Sequence, residues 1–153
     1  MKAAKTARRR SREIALQAIY AWQLAGGDAL ELLRAMDDYA HADRALAETL
    51  VRGVLERSAE LEGLIAPCLD REFRRLSPVE RAILYIGAFE LQEHPGTPFK
   101  VVVNEAVELG KSFGGTGGHK FVNGVLDKMA GDLRAAEIAA MAAERAAGVA
   151  NSA

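Results

Sequence analysis

Residues 97–128 read T-P-F-K-V-V-V-N-E-A-V-E-L-G-K-S-F-G-G-T-G-G-H-K-F-V-N-G-V-L-D-K, and this stretch decides the fold. Proline lacks a donor N–H and is tolerated where a helix begins, so a helix is predicted to start a few residues after Pro98. Val103, Ala106, Val107 and Gly110 then recur at three- and four-residue steps on one face. Gly114, Gly115, Gly117 and Gly118 end that helix after Phe113, because glycine tolerates the left-handed backbone common at helix ends. Phe121, Val122, Val125, Leu126 and Met129 make a second apolar face at helical spacing. Two such faces meeting at a glycine corner form a hairpin of helices.

Upstream, Ser77-Pro78-Val79-Glu80 is the clearest helix start in the chain. Serine caps, proline suits the first helical position, and glutamate three residues on completes a capping box. The helix that follows carries Val79, Ile83, Ile86 and Glu90 along one line and stops at His94-Pro95-Gly96. A long helix is predicted over Asp43–Ile65, with Leu46, Leu50, Val54, Leu61 and Ile65 inward, and a short helical turn through Leu69 and Phe73 after Pro67. Another helix runs from Ala7 to Ala25 until Gly26-Gly27 ends it, and Asp28 caps a short helix beyond. Asp37 to Ala42 reads as a connection. After about Arg134 the chain becomes an alanine-rich helix expected to fray by Gly148. Val101-Val102-Val103 is too short a β-branched run to outweigh its neighbours. The expected fold class is all-α, organised as a flexible basic arm at 1–6, a helical body at 7–134 and an alanine-rich extension at 135–153.

The chain has 153 residues, enough for one domain with a sizeable core. A single cysteine, Cys68, excludes an internal disulfide framework and suits a reducing compartment. No stretch approaches the roughly 20 apolar residues that span a bilayer, and no apolar signal core follows the basic start. A cytoplasmic protein is expected. The net charge of −1 hides an asymmetry: Lys2, Lys5, Arg8, Arg9, Arg10 and Arg12 put +6 on the first twelve residues, leaving −7 on the rest. A basic arm on an acidic body points to a polyanion at one end and a different partner elsewhere.

No catalytic centre, metal site or cofactor is expected. G-G-T-G-G-H-K at 114–120 resembles a phosphate loop only superficially: His119 stands where glycine must precede the lysine, and Phe121 where serine or threonine must follow. His41, His94 and His119 share no ligand spacing with Cys68. Glu105 and Glu108 read as solvated surface carboxylates. The arm is different. Guanidinium groups chelate phosphate oxygens, stack on bases and stay charged, so Arg8, Arg9, Arg10 and Arg12, with Lys5, have the chemistry to hold RNA; a solvated terminal charge run is the plainer alternative. Lys120 and Phe121 open a helix at its positive end, where phosphate docks and a ring can stack on a base, or where both merely cap and pack.

P-F-K-V-V-V-N-E-A-V-E-L-G-K-S-F-G-G followed by H-K-F-V-N-G-V-L-D-K resembles the signature of the NusB family of bacterial transcription antitermination factors. The resemblance continues through S-P-V-E-R-A-I-L-Y-I-G-A-F-E-L and R-R-R-S-R-E-I-A-L-Q-A-I-Y-A-W-Q-L, covering most of residues 8–130. It departs at Thr116-Gly117-Gly118, where the family is typically acidic, and in the alanine-rich tail. It implies a NusB-like fold of two small helical bundles with about seven helices, sharing the 43–65 helix or its neighbourhood. It further implies an arm that binds single-stranded boxA-type RNA, and the ribosomal protein NusE as partner. The assembly would join the elongating RNA polymerase complex and support ribosomal RNA transcription. Tyr20 and Glu80 are the candidate NusE contacts, and Glu90 and Glu93 would add to an acidic face suited to a basic partner. Packing for Tyr20 and capping for Glu80 are the plainer roles. An RNA-binding accessory domain of a larger enzyme and a homodimeric adaptor are the alternative functions the same resemblance allows.

Overall fold

Helices begin where a short polar side chain can take up their free amides. In the computed structural model, which describes residues 5–152, Thr6 caps α1 (Ala7–Ala25), Asp28 caps α2 (Ala29–Ala35), Asp43 caps α3 (Arg44–Ile65) and Ser77 caps α4 (Pro78–Glu93). α5 (Phe99–Phe113) begins immediately after Pro98 rather than a few residues later. Its cap comes from far along the chain: Glu137 Oε2 accepts the Phe99 N–H at 2.9 Å. α6 (Gly118–Leu133) and α7 (Ala135–Ser152) complete the seven α-helices of the described residues, with short 3-10 turns at Asp37–His41, Ala66–Cys68 and Phe73–Arg75. Among the described residues there is no strand. Residues 1–4 of the expected arm, Lys2 included, lie outside the described residues.

α1 and α2 pack on the front of α3, while α4, α5 and α6 form the second bundle and α4 and α6 also touch α3. The long helix therefore serves both bundles, and its one non-helical residue, Arg57 (φ −117°, ψ 20°), marks the bend between them. Leu50, Val54, Leu61 and Ile65 from α3 meet Ile14 and Ile19 from α1 and Ile83, Leu84 and Ile86 from α4 in one continuous apolar core. Close approach depends on two glycines. A Cβ on Gly53 would lie 2.1 Å from the Phe89 ring, and one on Gly87 would lie 2.8 Å from Leu126.

Arg134 is buried and donates to the carbonyls of Glu90, Leu91, His94 and Thr97, gathering the chain where α4 ends. It also pairs with Glu137, so the first turn of α7 helps organise the start of α5. Residues 142–149 of α7 are exposed. The helix nonetheless continues to Ser152, past the fraying expected at Gly148. Alanine is the strongest helix former, and one glycine costs only about 1 kcal/mol among so many.

Candidate nucleic-acid interface

The basic residues of the arm lie against carboxylates while staying partly exposed, Lys5 at 53% and Arg8 at 51% of the side chain. Each described one pairs with a carboxylate, and the turn of α1 sends them to different neighbours. Lys5 Nζ meets Glu13 at 2.9 Å and Arg8 meets the capping residue Asp43 at 3.5 Å. Arg10 lies 3.9 Å from Asp38 in the 3-10 turn. Arg9 donates from Nε and Nη2 to both oxygens of Glu105 on α5, at 3.1 and 3.2 Å.

Arg12 corrects the sequence-based expectation. It is 3% exposed and bonds Glu90, itself 1% exposed, through two parallel contacts. Neither the arginine expected on RNA nor the glutamate expected on an acidic face reaches the surface. Burial alone would raise the Glu90 carboxyl, but the neighbouring His94 ring and the two hydrogen bonds and charge of Arg12 outweigh it and hold the carboxyl below its ordinary value. Both residues were read by charge, and a partner across the core is invisible to that reading. Glu105, read as solvated, is likewise only 19% exposed in its side chain.

Two hollows lie along the seam between α1 and α5, and a third lies at the glycine joint. The first is a cleft of about 350 Å³ holding Lys5 and Arg9 against Glu13, Glu105 and Glu108, with Ser112 at its end. One turn further along α1, Leu16, Gln17 and Tyr20 join Val79 and Phe113 in an apolar hollow of about 300 Å³. Tyr20 is 36% exposed there. Beyond Phe113 the glycine joint, with Arg71, Glu80 and Phe121, lines the third, of about 280 Å³.

The geometry of the joint explains its glycines. Gly117 adopts φ 78° as the cap of α6, a backbone that favours glycine. Gly110 sits against the backbone of His119, where a Cβ would approach Cα at 2.9 Å. Phe121 is half-buried, and the Arg71 guanidinium lies 4.7 Å from its ring centroid. That is a cation–π contact. Lys120 is exposed on the first turn of α6. Arg71 escaped sequence reading because a lone cation in a linker has no periodic signal. Glu80 takes the capping place expected of it: its amide donates to Ser77 Oγ at 3.1 Å, and Ser77 Oγ donates to its carboxylate at 3.0 Å.

Cys68 is half-buried, and burial pushes its thiol up, away from the reactive thiolate. Among the described residues no group of three or more His, Cys, Asp or Glu is arranged to hold a metal ion. No helix among them is long and apolar enough to cross a membrane.

Comparison with known proteins supplies the relationship. The model of the NusB family matches residues 9–131. The transcription antitermination protein NusB of Bordetella pertussis is 54% identical over 144 residues, covering 90% of this chain and 94% of that protein. Its counterpart in Nitrosomonas eutropha is 53% identical over 137 residues, covering 88% and 82%. Among solved structures, T. maritima NusB superposes with a TM-score of 0.74 at 30% identity, covering 86% of this chain and 94% of that one. A crystal structure of the antitermination factors NusB and NusE in complex with dsRNA gives a TM-score of 0.71 at 28% identity, covering 80% and 95%. With the family model matched over most of its length and relatives above half identity, the chain belongs to the NusB family of transcription antitermination proteins.

Proposed function

We propose that this protein binds single-stranded boxA-type RNA jointly with NusE, and that the pair joins the elongating RNA polymerase complex to sustain ribosomal RNA transcription. One observation carries the reading: a cleft presenting Lys5 and Arg9 and an apolar hollow lie along the α1–α5 seam, and a hollow with Arg71 and Phe121 lies at the glycine joint. Lys5 and Arg9 would hold phosphates at one end, and Lys120, Phe121 and Arg71 would receive phosphate and a base at the other. Arg8 and Arg10, on other sides of α1, would guide the strand electrostatically. Tyr20 and Glu80 border the apolar hollow and the joint between these regions and would meet NusE. The solved complex containing NusB, NusE and dsRNA supports a shared protein and RNA surface in the family. Two modest RNA surfaces held on one rigid unit bind more tightly through effective concentration.

Fluorescence anisotropy tests this with a boxA-like RNA and a scrambled control, each with and without NusE, across a salt series. The expected result is boxA preference that sharpens with NusE. If about four phosphates are neutralised, log affinity falls with log salt at a slope near about −3. Equal affinity for the two RNAs, indifferent to NusE, would reject joint boxA recognition.

A further inference from the structure

We infer that Glu105 is an intramolecular competitor for RNA: its carboxylate occupies the guanidinium fork of Arg9 that an RNA phosphate would take, so a strand must displace it to bind there. The inference rests on the proposed RNA role of the arm and deepens it.

The Nε–Nη2 edge of arginine presents two parallel N–H groups matched to two oxygens of a carboxylate or phosphate. In this protein Glu105 fills that edge with both oxygens, at 3.1 and 3.2 Å. Arg9 is 40% exposed in its side chain and Glu105 19%, so the cation is the more accessible partner and the acid lies deeper. The pairing is also the chief reason the Arg9 guanidinium is held above its ordinary value.

The surroundings make displacement costly. The cleft contains two cations, Lys5 and Arg9, and three carboxylates, Glu13, Glu105 and Glu108. Lys5 is itself engaged by Glu13 at 2.9 Å. A phosphate arriving at Arg9 therefore adds negative charge where acids already outnumber bases, and leaves Glu105 unpaired beside Glu108. Occupancy of Arg9 consequently depends on contacts made elsewhere along the strand. The basic arm, despite its charge, is a weak trap for arbitrary polyanions. Glu105 belongs to the N-E-A-V-E-L run of α5, far from the arm in sequence, so the fold alone brings competitor and cation together.

The test uses the full chain and a fluorescein-labelled single-stranded RNA at low salt, comparing wild type, E105Q, R9A and the double variant. E105Q preserves side-chain shape and removes the charge; an unchanged thermal melt verifies the fold. The expected result is that E105Q tightens binding about two- to fivefold, the scale of a partly exposed ion pair. R9A weakens it, and the double variant matches R9A, because the effect of Glu105 passes through Arg9. E105D, which draws the charge back by one methylene, tightens binding as well. E105Q binding no tighter than wild type while R9A still weakens binding overturns the competition and leaves Glu105 a positioning residue. E105Q tightening binding equally in the R9A background overturns it too, since only the general field would be at work. R9A without effect would instead remove Arg9 from the RNA surface, and the proposed reading of the arm would fail first.

Discussion

Arg12 on α1 donates Nε and Nη2 to the two carboxylate oxygens of Glu90 on α4, at 2.9 and 2.8 Å, with both side chains almost wholly inside the protein. The pair locks the first bundle to the second, and its carboxylate also faces His94 at 3.7 Å. Removing one partner leaves a buried charge without its counter-ion, which costs about 3–5 kcal/mol. R12A and E90A are each expected to lower stability on that scale in urea unfolding. The double variant R12M/E90L should recover most of the loss. A loss under 1 kcal/mol for either single variant would show that the pair is not interior.

Close approach, more than flexibility, requires the glycine at position 110 of α5, opposite the start of α6. Gly110→Ala drives a Cβ against the His119 backbone, which cannot swing aside as a side chain does. A destabilisation of about 1–3 kcal/mol is expected. Gly115→Ala, with nothing within 4 Å of its Cβ, should be close to neutral. Parallel thermal melts decide between them: equal melting temperatures would mean that the hairpin tolerates the extra methyl.

Glu48 gives the protein an acid-sensitive support. Hydrogen bonds from Arg34 and Tyr39 outweigh burial and hold its carboxyl at about 2, down from the ordinary 4.5. Because the folded value lies below the unfolded one, the unfolded chain binds more protons between them. The contribution is therefore full above pH 4.5 and is lost as pH falls toward 2. E48Q should flatten the fall of stability across that window in denaturant titrations at stepped pH. An identical slope for E48Q and wild type would remove Glu48 from the acid response.

Tyr20 exposes its ring at the rim of the apolar hollow shared with Val79 and Phe113. Aromatic anchors of this kind dominate interface energies, and truncation commonly costs about 2 kcal/mol or more. Tyr20→Ala should weaken NusE binding about 30-fold in calorimetry and leave RNA binding by this protein alone unchanged. Weakened RNA binding without NusE would place the ring on the RNA instead.

Much of the architecture was legible because its signals are local. Asp28, Asp43 and Ser77 announce helix starts through side chains that bond amides two or three residues on. The glycine run after Phe113 announces the corner, and the apolar period of α6 announces its buried face, with Val122, Val125, Leu126 and Met129 all interior. The candidate site was less legible. Lys5, Arg9 and Tyr20 lie along one seam, whereas Arg12 pairs inward with Glu90 and Arg71 stands over Phe121 from a linker.

The sequence by itself determined the all-helical class, the side-chain-capped helix starts at Asp28, Asp43 and Ser77 and the glycine corner, since capping, periodicity and backbone freedom act over a few neighbouring residues. It also determined that positive charge crowds the start of the chain. Only the tertiary structure decided what that charge meets. Arg9 finds Glu105, Arg12 finds Glu90, and Phe99 finds a cap in Glu137, across separations of 96, 78 and 38 residues. A charge count measures the sum of such groups. Whether each cation is spent inside, latched at the surface or open to a phosphate depends on which carboxylate the folded helices carry to it.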